Sequence, residues 1–284
     1  MDYKYLIVDG PYLAHRSFGA PYKLSTTTGL DATMIHSFIR TLNSLRKKFN
    51  PQEIIVAWES YGTSSWRKEM QPDYKPNGGT SITRQYIDES IDLQLLLYLF
   101  GVKQYYASHN EADDVIANLV FSTNENVLIF TVDKDMMQLV EDYVHVYNGE
   151  EIFDEKKVKE KYKVEPFQIP DYLAIVGDTS DNIKGIQGYG PVRASKILAD
   201  HIHVEGIPSD HELSVHQKEL EFNKKLAVLN HECKLIPIPN KDFKTSETII
   251  SIFDKYEFKQ LKEKIEEYKL LGGNKNVIST TTAI

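Results

Sequence analysis

The chain reads as an α/β protein with a mostly parallel central sheet, helices on both faces and a helical C-terminal region. Three observations predict this. Short runs of apolar, β-branched residues alternate with longer segments whose apolar residues recur at helical spacing, which is the pattern of βαβ units. Three of the short runs are apolar, as expected of strands in a parallel sheet covered on both faces. After about Glu165 the strand pattern fades, and helices and turns prevail.

Tyr5-Leu6-Ile7-Val8-Asp9 is the first strand. Ile35, Phe38, Ile39, Leu42, Leu45 and Phe49 then mark a helix from about Ala32 to Phe49. Asp31 is its candidate cap, Arg46, Lys47 and Lys48 suit its negative end, and Pro51 stops it. Glu53 to Trp58 is the second strand, followed by Glu59 and a polar stretch to Ser81. Tyr86, Ile91, Leu95, Tyr98 and Leu99 predict a second long helix from about Ile82 to Phe100, ended by Gly101. Val102 to Ala107 is a third strand, and Glu111-Ala112-Asp113-Asp114 opens the next helix. Val127 to Val132 is a fourth strand, ending at Asp133. A further short strand is expected from Lys234 to Ile238. The division falls near residue 165, into a core of residues 1–165 and a region of 166–284 with a loose tail from Gly272.

Hydrophobic residues at 41% and charged residues at 26% exclude a chain disordered throughout. The single cysteine, Cys233, excludes an intramolecular disulfide and a cysteine metal cluster. It suits a reducing compartment. No run approaches the roughly 18 apolar residues of a membrane span. Met1 leads almost at once into the first strand, so no signal peptide is expected, and the cytoplasm is the expected location without a membrane partner.

The charge balance of −8 argues at first against a nucleic-acid partner. The placement of the acids reverses this. Asp9, Glu59 and Asp133 each follow an apolar strand, and in open α/β sheets ligands bind off the carboxyl ends of the strands. One such acid would be explained by turn chemistry, but three on parallel neighbours converge. Glu111, Asp113 and Asp114 crowd one helix start, where capping accounts for one acid and a cation for several. Asp135 stands beside Asp133, and Asp178 and Asp181 are spaced to share one helical turn. Setting these nine acids aside takes the formal charge from −8 to +1. An all-oxygen cluster suits Mg²⁺ or Mn²⁺ better than Zn²⁺. Two such ions about 4 Å apart are the usual device for phosphodiester hydrolysis.

Gly185-Ile186-Gln187-Gly188-Tyr189-Gly190, followed by a helix from Pro191 to about Ala199, is either a helix–helix turn or a phosphate cradle. No strand precedes it, so it is not a dinucleotide fingerprint. Trp66-Arg67-Lys68 and Pro72 to Gly79 form a loop mixing aromatic and positive residues. Here Tyr74 could stack on a base and Lys75 could polarise a phosphate. His201, His203, His211 and His216 read as surface histidines, and Cys233 as a packed side chain.

Taken together, these blocks resemble the 5′-nuclease family: the 5′-to-3′ exonuclease domain of bacterial DNA polymerase I, phage 5′-exonucleases and flap endonucleases. The resemblance rests on Leu6-Ile7-Val8-Asp9-Gly10 with Arg16, and on Arg67 to Lys75 as the Arg-x-x-x-x-Pro-x-Tyr-Lys block. It rests equally on Glu111 to Asp114 with Thr131 to Asp135, and on Gly177-Asp178 to Gly190. It covers the chain to about Leu229. It implies a PIN-like core, a helical arch at about 74–100 and a helix-three-turn-helix motif on the duplex backbone. It further implies that Asp9, Glu59, Glu111 and Asp113 hold one Mg²⁺ and that Asp133, Asp135 and Asp178 hold a second, with Mn²⁺ able to substitute. Asp114 and Asp181 would act through water. Lys75, Tyr74 and Arg84 would be catalytic. Arg16, Arg67, Gly185, Gly188, Gly190 and Arg193 would contact DNA, with K⁺ as a further ion at the glycine turn. Glu59 stands where the family has Asp, Gly78 where it has Arg, and Val192 where Lys is common. Arg84 is the candidate replacement for the arginine absent at Gly78.

The implied activity is Mg²⁺-dependent 5′-3′ exonuclease and flap-endonuclease cleavage. Expected substrates are DNA flaps, nicks and ends, extending to RNA primers in RNA·DNA hybrids, cut by a monomer with a single-strand-binding or clamp partner. A PIN-type ribonuclease would share the strand-end acids without needing the glycine turn. A haloacid-dehalogenase phosphatase wants a second Asp where Pro11 stands. A catalytically impaired DNA-binding relative would have lost acids, and all nine are present.

Overall fold

Among the described residues, seven strands form one sheet whose five central strands are parallel. The computed structural model describes residues 1–60, 63–76, 84–238, 246–269 and 271, with the side chains of 246–250, 266 and 269 left aside. β1 (Tyr5–Asp9) lies at the centre, flanked by β2 (Glu53–Ala57) and β4 (Val127–Phe130). β3 (Lys103–Tyr106) extends the sheet beyond β2, and β5 (Val144–Tyr147) extends it beyond β4. Two-residue antiparallel strands close the edges, β6 (Ile152–Phe153) on β5 and β9 (Ile236–Pro237) on β3.

Side chains along the central strands feed two cores. Leu6, Val8, Ile54, Val56, Leu128 and Phe130 pack with α1 (Gly10–Phe18), α2 (Thr33–Phe49) and α4 (Arg84–Leu99). The C-terminal helices α10 (Ser246–Lys255), α11 (Lys259–Glu263) and α12 (Ile265–Lys269) join this face. Ile7, Ile55, Val127 and Ile129 pack on the other face with α5 (Ala112–Phe121), α7 (Ile169–Val176), α8 (Pro191–His201) and α9 (Gln217–Ala227). The short helices α3 (Trp66–Met70) and α6 (Glu155–Tyr162) complete this face through Met70 and Val158. The α/β architecture is the one expected.

Three local features differ from the reading of the sequence. Gly10–Phe18 is a helix, started by Asp9, whose side chain accepts the Tyr12 N–H at 3.0 Å. Residues 144–162 add β5, β6 and α6. Asp178 and Asp181 do not share a helical turn. Gly177–Asp178 (β7) and Ile183–Lys184 (β8) form a two-residue antiparallel ribbon. Gly177 ends α7 at φ +85°, and Asp178 Oδ1 accepts the Ser180 N–H at 2.9 Å, a local bond that competes with helix continuation. Of the expected arch, residues 77–83 lie outside the described residues, as do Gly78 and the tail from Gly272. From Tyr86 onward α4 packs into the core, with Leu93, Leu96 and Leu97 fully buried.

Candidate active site

The carboxyl ends of β1, β2 and β4 open into a cavity of about 400 Å³ lined by Asp9, Glu59, Glu111, Asp113, Asp133 and Lys75. Each acid is positioned by its element. Asp9 ends β1 and caps α1, and its second oxygen accepts the Thr131 hydroxyl at 2.7 Å. Asp133 follows β4, and its Oδ1 accepts the Asp135 N–H at 2.9 Å. Glu111 and Asp113 stand at the start of α5, whose positive end favours them. Asp135, Asp178 and Asp181 form a second group, in which one carboxylate oxygen from each lies within 4.8 Å of the others. Strand order thus gathers eight of the nine expected acids at one edge of the sheet.

Crowding perturbs these groups as their environment dictates. Burial, then repulsion from Asp133, pushes Asp9 up to about 6. Burial and Asp133 also hold Asp113 and Asp135 well above the ordinary carboxylate range. Burial raises Glu59, aided by Glu111, and raises Asp181 against the opposing charge of Lys75. Asp178 is lowered: burial pushes it up, but hydrogen bonds from Ser180 and Lys134 outweigh this. Lys75 Nζ is 3.4 Å from Glu111 Oε1, 3.8 Å from Asp181 Oδ1 and 3.9 Å from Asp113 Oδ2, so it bridges both acid groups. Burial alone would lower its pKa, and the carboxylates reverse that and hold it protonated.

Three of the expected roles are corrected by the geometry. Arg67 does not face DNA: it is 1% exposed. Its Nε donates to Leu226 O, Nη1 to Glu111 Oε2 and Asp114 Oδ2, and Nη2 to Asp114 Oδ1 and Val228 O, at 2.8–3.0 Å. All five N–H groups are spent. Asp114 cannot act on a metal through water, because it is fully buried. Besides Arg67 it accepts from the Trp66 indole and from the backbone N–H of Glu111 and Asn230. The Tyr74 ring is buried and cannot stack on a base, and its hydroxyl donates to Asp181 Oδ2 at 2.6 Å. Arg84, the candidate replacement for the arginine absent at Gly78, is exposed on α4 and pairs with Asp88 at 3.2 Å.

The glycine turn divides by position. Gly185 is an internal contact, since a Cβ there would fall 2.2 Å from Val176 O. Gly188 and Gly190 are exposed, as is Arg193, whose Nη1 donates to Gly188 O at 3.1 Å. Gly188 needs its glycine for φ +88°, whereas a side chain at Gly190 would meet nothing within 4 Å. Arg16 lies two turns along α1 from Asp9, in a separate cleft with Tyr22 and Arg40.

Sequence reasoning missed Tyr12, His15 and Asn110, and it gave no individual role to Lys134, Thr131 and Lys68, which lie in blocks it singled out. Lys134 Nζ is 2.9 Å from Asp178 Oδ1, and Tyr12, His15, Lys68 and Asn110 line the acid cavity. The position of Lys134 between Asp133 and Asp135 was the available signal. A further group, Asp171, His203 and Glu205, has ligand spacing, but Lys224 lies 2.9 Å from Asp171 and 2.7 Å from Glu205 and already supplies the cation.

The acid groups fit divalent ions by one direct observation: Asp135 Oδ1 is buried without a hydrogen-bond partner. Oxygen-only donors with such an open valence suit a hard cation.

Comparison with known proteins agrees. Residues 4–163 match the family model of the 5′-3′ exonuclease N-terminal resolvase-like domain, and residues 164–249 match that of the 5′-3′ exonuclease C-terminal SAM fold. A 5′-3′ exonuclease of Aquifex aeolicus is 34% identical over 93% of this chain and 91% of its own length. One from Mycoplasmopsis pulmonis is 28% identical over 93% and 94%. DNA polymerase I of Caldicellulosiruptor bescii is 31% identical over 80% of this chain, but over only 28% of the polymerase. The fold is also that of the T5 D15 protein co-crystallised with metal ions, at a TM-score of 0.66 and 22% identity over 93% of this chain and 98% of that one. With the two family models together matching residues 4–249 and the acids gathered at the sheet edge, the chain belongs to the 5′-3′ exonuclease family.

Proposed function

We propose that the protein is a Mg²⁺-dependent 5′-3′ exonuclease and flap endonuclease that hydrolyses phosphodiester bonds of DNA near 5′ ends and single-strand/double-strand junctions. The observation that carries this reading is the convergence of eight carboxylates and one protonated lysine on a single edge of the sheet. Asp9, Glu59, Glu111 and Asp113 would hold one divalent ion, and Asp133, Asp135, Asp178 and Asp181 a second. When bound, such ions lower the pKa of water and stabilise the attacking and leaving oxygens.

The chain's own residues do the rest. Thr131 and the Tyr12 N–H fix the carboxylate of Asp9, and Arg67 fixes Glu111 from behind. Lys75 is positioned to meet the charge that grows on the non-bridging phosphate oxygens during attack, which favours the transition state over the ground state. Exposed Gly188, Gly190 and Arg193 offer backbone and charge to the uncut duplex. A K⁺ ion there would compete with Arg193 for Gly188 O. We further propose that RNA·DNA hybrids are substrates, and that the chain works as a monomer in the cytoplasm alongside a single-strand-binding or clamp partner.

The test is a 5′-labelled flap duplex incubated with the protein in Mg²⁺ or in chelator, with nicked, gapped and RNA·DNA duplexes in parallel. Cleavage near the junction that requires Mg²⁺ is expected, and it should disappear in Asp133→Asn with duplex binding retained. Cleavage that persists in chelator would refute the reading.

A further inference from the structure

Lys134 has no part in the chemistry above, yet it sits on the second acid group. Its Nζ is 2.9 Å from Asp178 Oδ1, and that carboxylate is 2% exposed. The same oxygen also accepts the backbone N–H and the hydroxyl of Ser180. Asp178 is therefore held by Ser180 whether or not the lysine is present. Asp135 Oδ1, a few ångströms away in the same group, is buried and has no partner at all. Lys134 on Asp178 and Lys75, 3.8 Å from Asp181 and shared with Glu111 and Asp113, are the ammoniums near these three carboxylates, and neither gives Asp135 Oδ1 a hydrogen bond, so part of the group's charge is left unanswered. The lysine side chain is 37% exposed, so its stem can carry the ammonium out to solvent. A divalent ion bound by Asp135, Asp178 and Asp181 would lie close to where that ammonium now rests. Two cations cannot share the position without strong repulsion.

We propose that Lys134 is a tethered cation that neutralises the Asp135–Asp178–Asp181 group in the metal-free protein and gives way to the entering divalent ion, thereby setting the affinity of that position. The proposal rests on reading this group as an ion site. Lysine and metal are alternative occupants. The lysine keeps the buried carboxylates compatible with the fold when no ion is present, and the ion must displace it to bind.

The experiment is Mn²⁺ titration of the full chain, following the electron paramagnetic resonance signal of the free ion. Variants are Lys134→Met, which keeps the stem and removes the charge, Lys134→Arg and Asp135→Asn. In Lys134→Met the weaker binding step should tighten about tenfold, the scale of removing one contacting like charge. Lys134→Arg should stay within about twofold of the parent, because it keeps the charge. Asp135→Asn should lose the step. Loss of the step in Asp135→Asn with unchanged or weaker binding in Lys134→Met would overturn the competition and leave the ion site standing. Retention of the step in Asp135→Asn would overturn the ion site and the proposal together. The unaltered protein gives an independent readout. Amine labelling of Lys134, followed by mass spectrometry, should rise several-fold on adding Mn²⁺, and an unchanged or falling rate would overturn the proposal.

Discussion

Lys75 and Arg67 are both cations among the same acids, and their exposure separates their roles. Lys75 keeps 29% of its side chain accessible within the cavity. Lys75→Ala should lower the single-turnover cleavage rate by about 10²–10³, the usual cost of one transition-state donor, with flap affinity in Ca²⁺ little changed. A change in affinity alone would make it a substrate-positioning residue. Arg84→Ala, at the surface of α4, should change the same rate by less than about threefold if its pair with Asp88 is its only role. Arg67→Ala should act on the fold. It strands Asp114 and two backbone carbonyls in the interior, and breaking such a buried pair typically costs about 3–5 kcal/mol. Urea unfolding would measure this, and a loss below about 1 kcal/mol would contradict the geometry. The sequence distinguished these cations poorly. Arg67 stands in a stretch rich in polar residues, and nothing local reveals that Leu226 and Val228 will bring carbonyls to it from 159 and 161 residues away. Asp9, Glu59 and Asp133 are legible because each follows a strand, and Glu111 and Asp113 because they open a helix; Asp178 and Asp181 lie in a ribbon that their spacing does not reveal.

At the scale of elements, apolar strands of four or five residues and long amphipathic helices were readable, and short irregular pieces were not. β5 is only Val-His-Val-Tyr, and α1 offers Leu13 and Ala14 but no long apolar stripe. Acids three apart satisfy the spacing of a helical turn, so the sequence pattern alone does not reveal the β7–β8 ribbon. The positive φ of Gly177 and the Ser180–Asp178 bonds decide otherwise. The ribbon and the turn after it make separable predictions. Gly185→Ala should destabilise the protein, since its Cβ meets the Val176 carbonyl. Gly190→Val enters open space at φ −80°, so its melting temperature should stay within about 2 °C of the parent. If exposed backbone here approaches phosphate, duplex affinity should nevertheless fall several-fold at every salt concentration. Unaltered binding by folded Gly190→Val would remove the turn from the interface.

For the whole molecule, the concentration of acids at one edge ties stability to protons and metal. A carboxyl whose folded pKa is raised contributes stability while protonated and loses it as pH rises through the folded value, about 6 for Asp9. Asp113, Asp135, Glu59 and Asp181 are raised in the same direction. His15, His36 and His145, lowered by burial, work oppositely, and of the three only His15 lines the acid cavity. The rise in melting temperature produced by Mg²⁺ over chelator should therefore grow from about pH 5 to about pH 7.5, as protons cease to compete for the same oxygens. A Mg²⁺ effect that is flat over this range would mean that the raised carboxyls are not the ligands.

The guanidinium of Arg67 also decides whether the chain can be divided. Its donors reach Glu111 and Asp114 on one side and the carbonyls at the end of α9 on the other. The Asn223 amide ties α9 in turn to Ala174 and Lys184, and β9 returns to the sheet beside β3. A fragment ending at residue 163 would keep Asp9, Glu59, Glu111, Asp113, Asp133 and Asp135, yet it would leave a buried arginine with two donors facing nothing. The two halves should accordingly melt as one calorimetric transition, and the fragment should fail to fold without its complement supplied in trans.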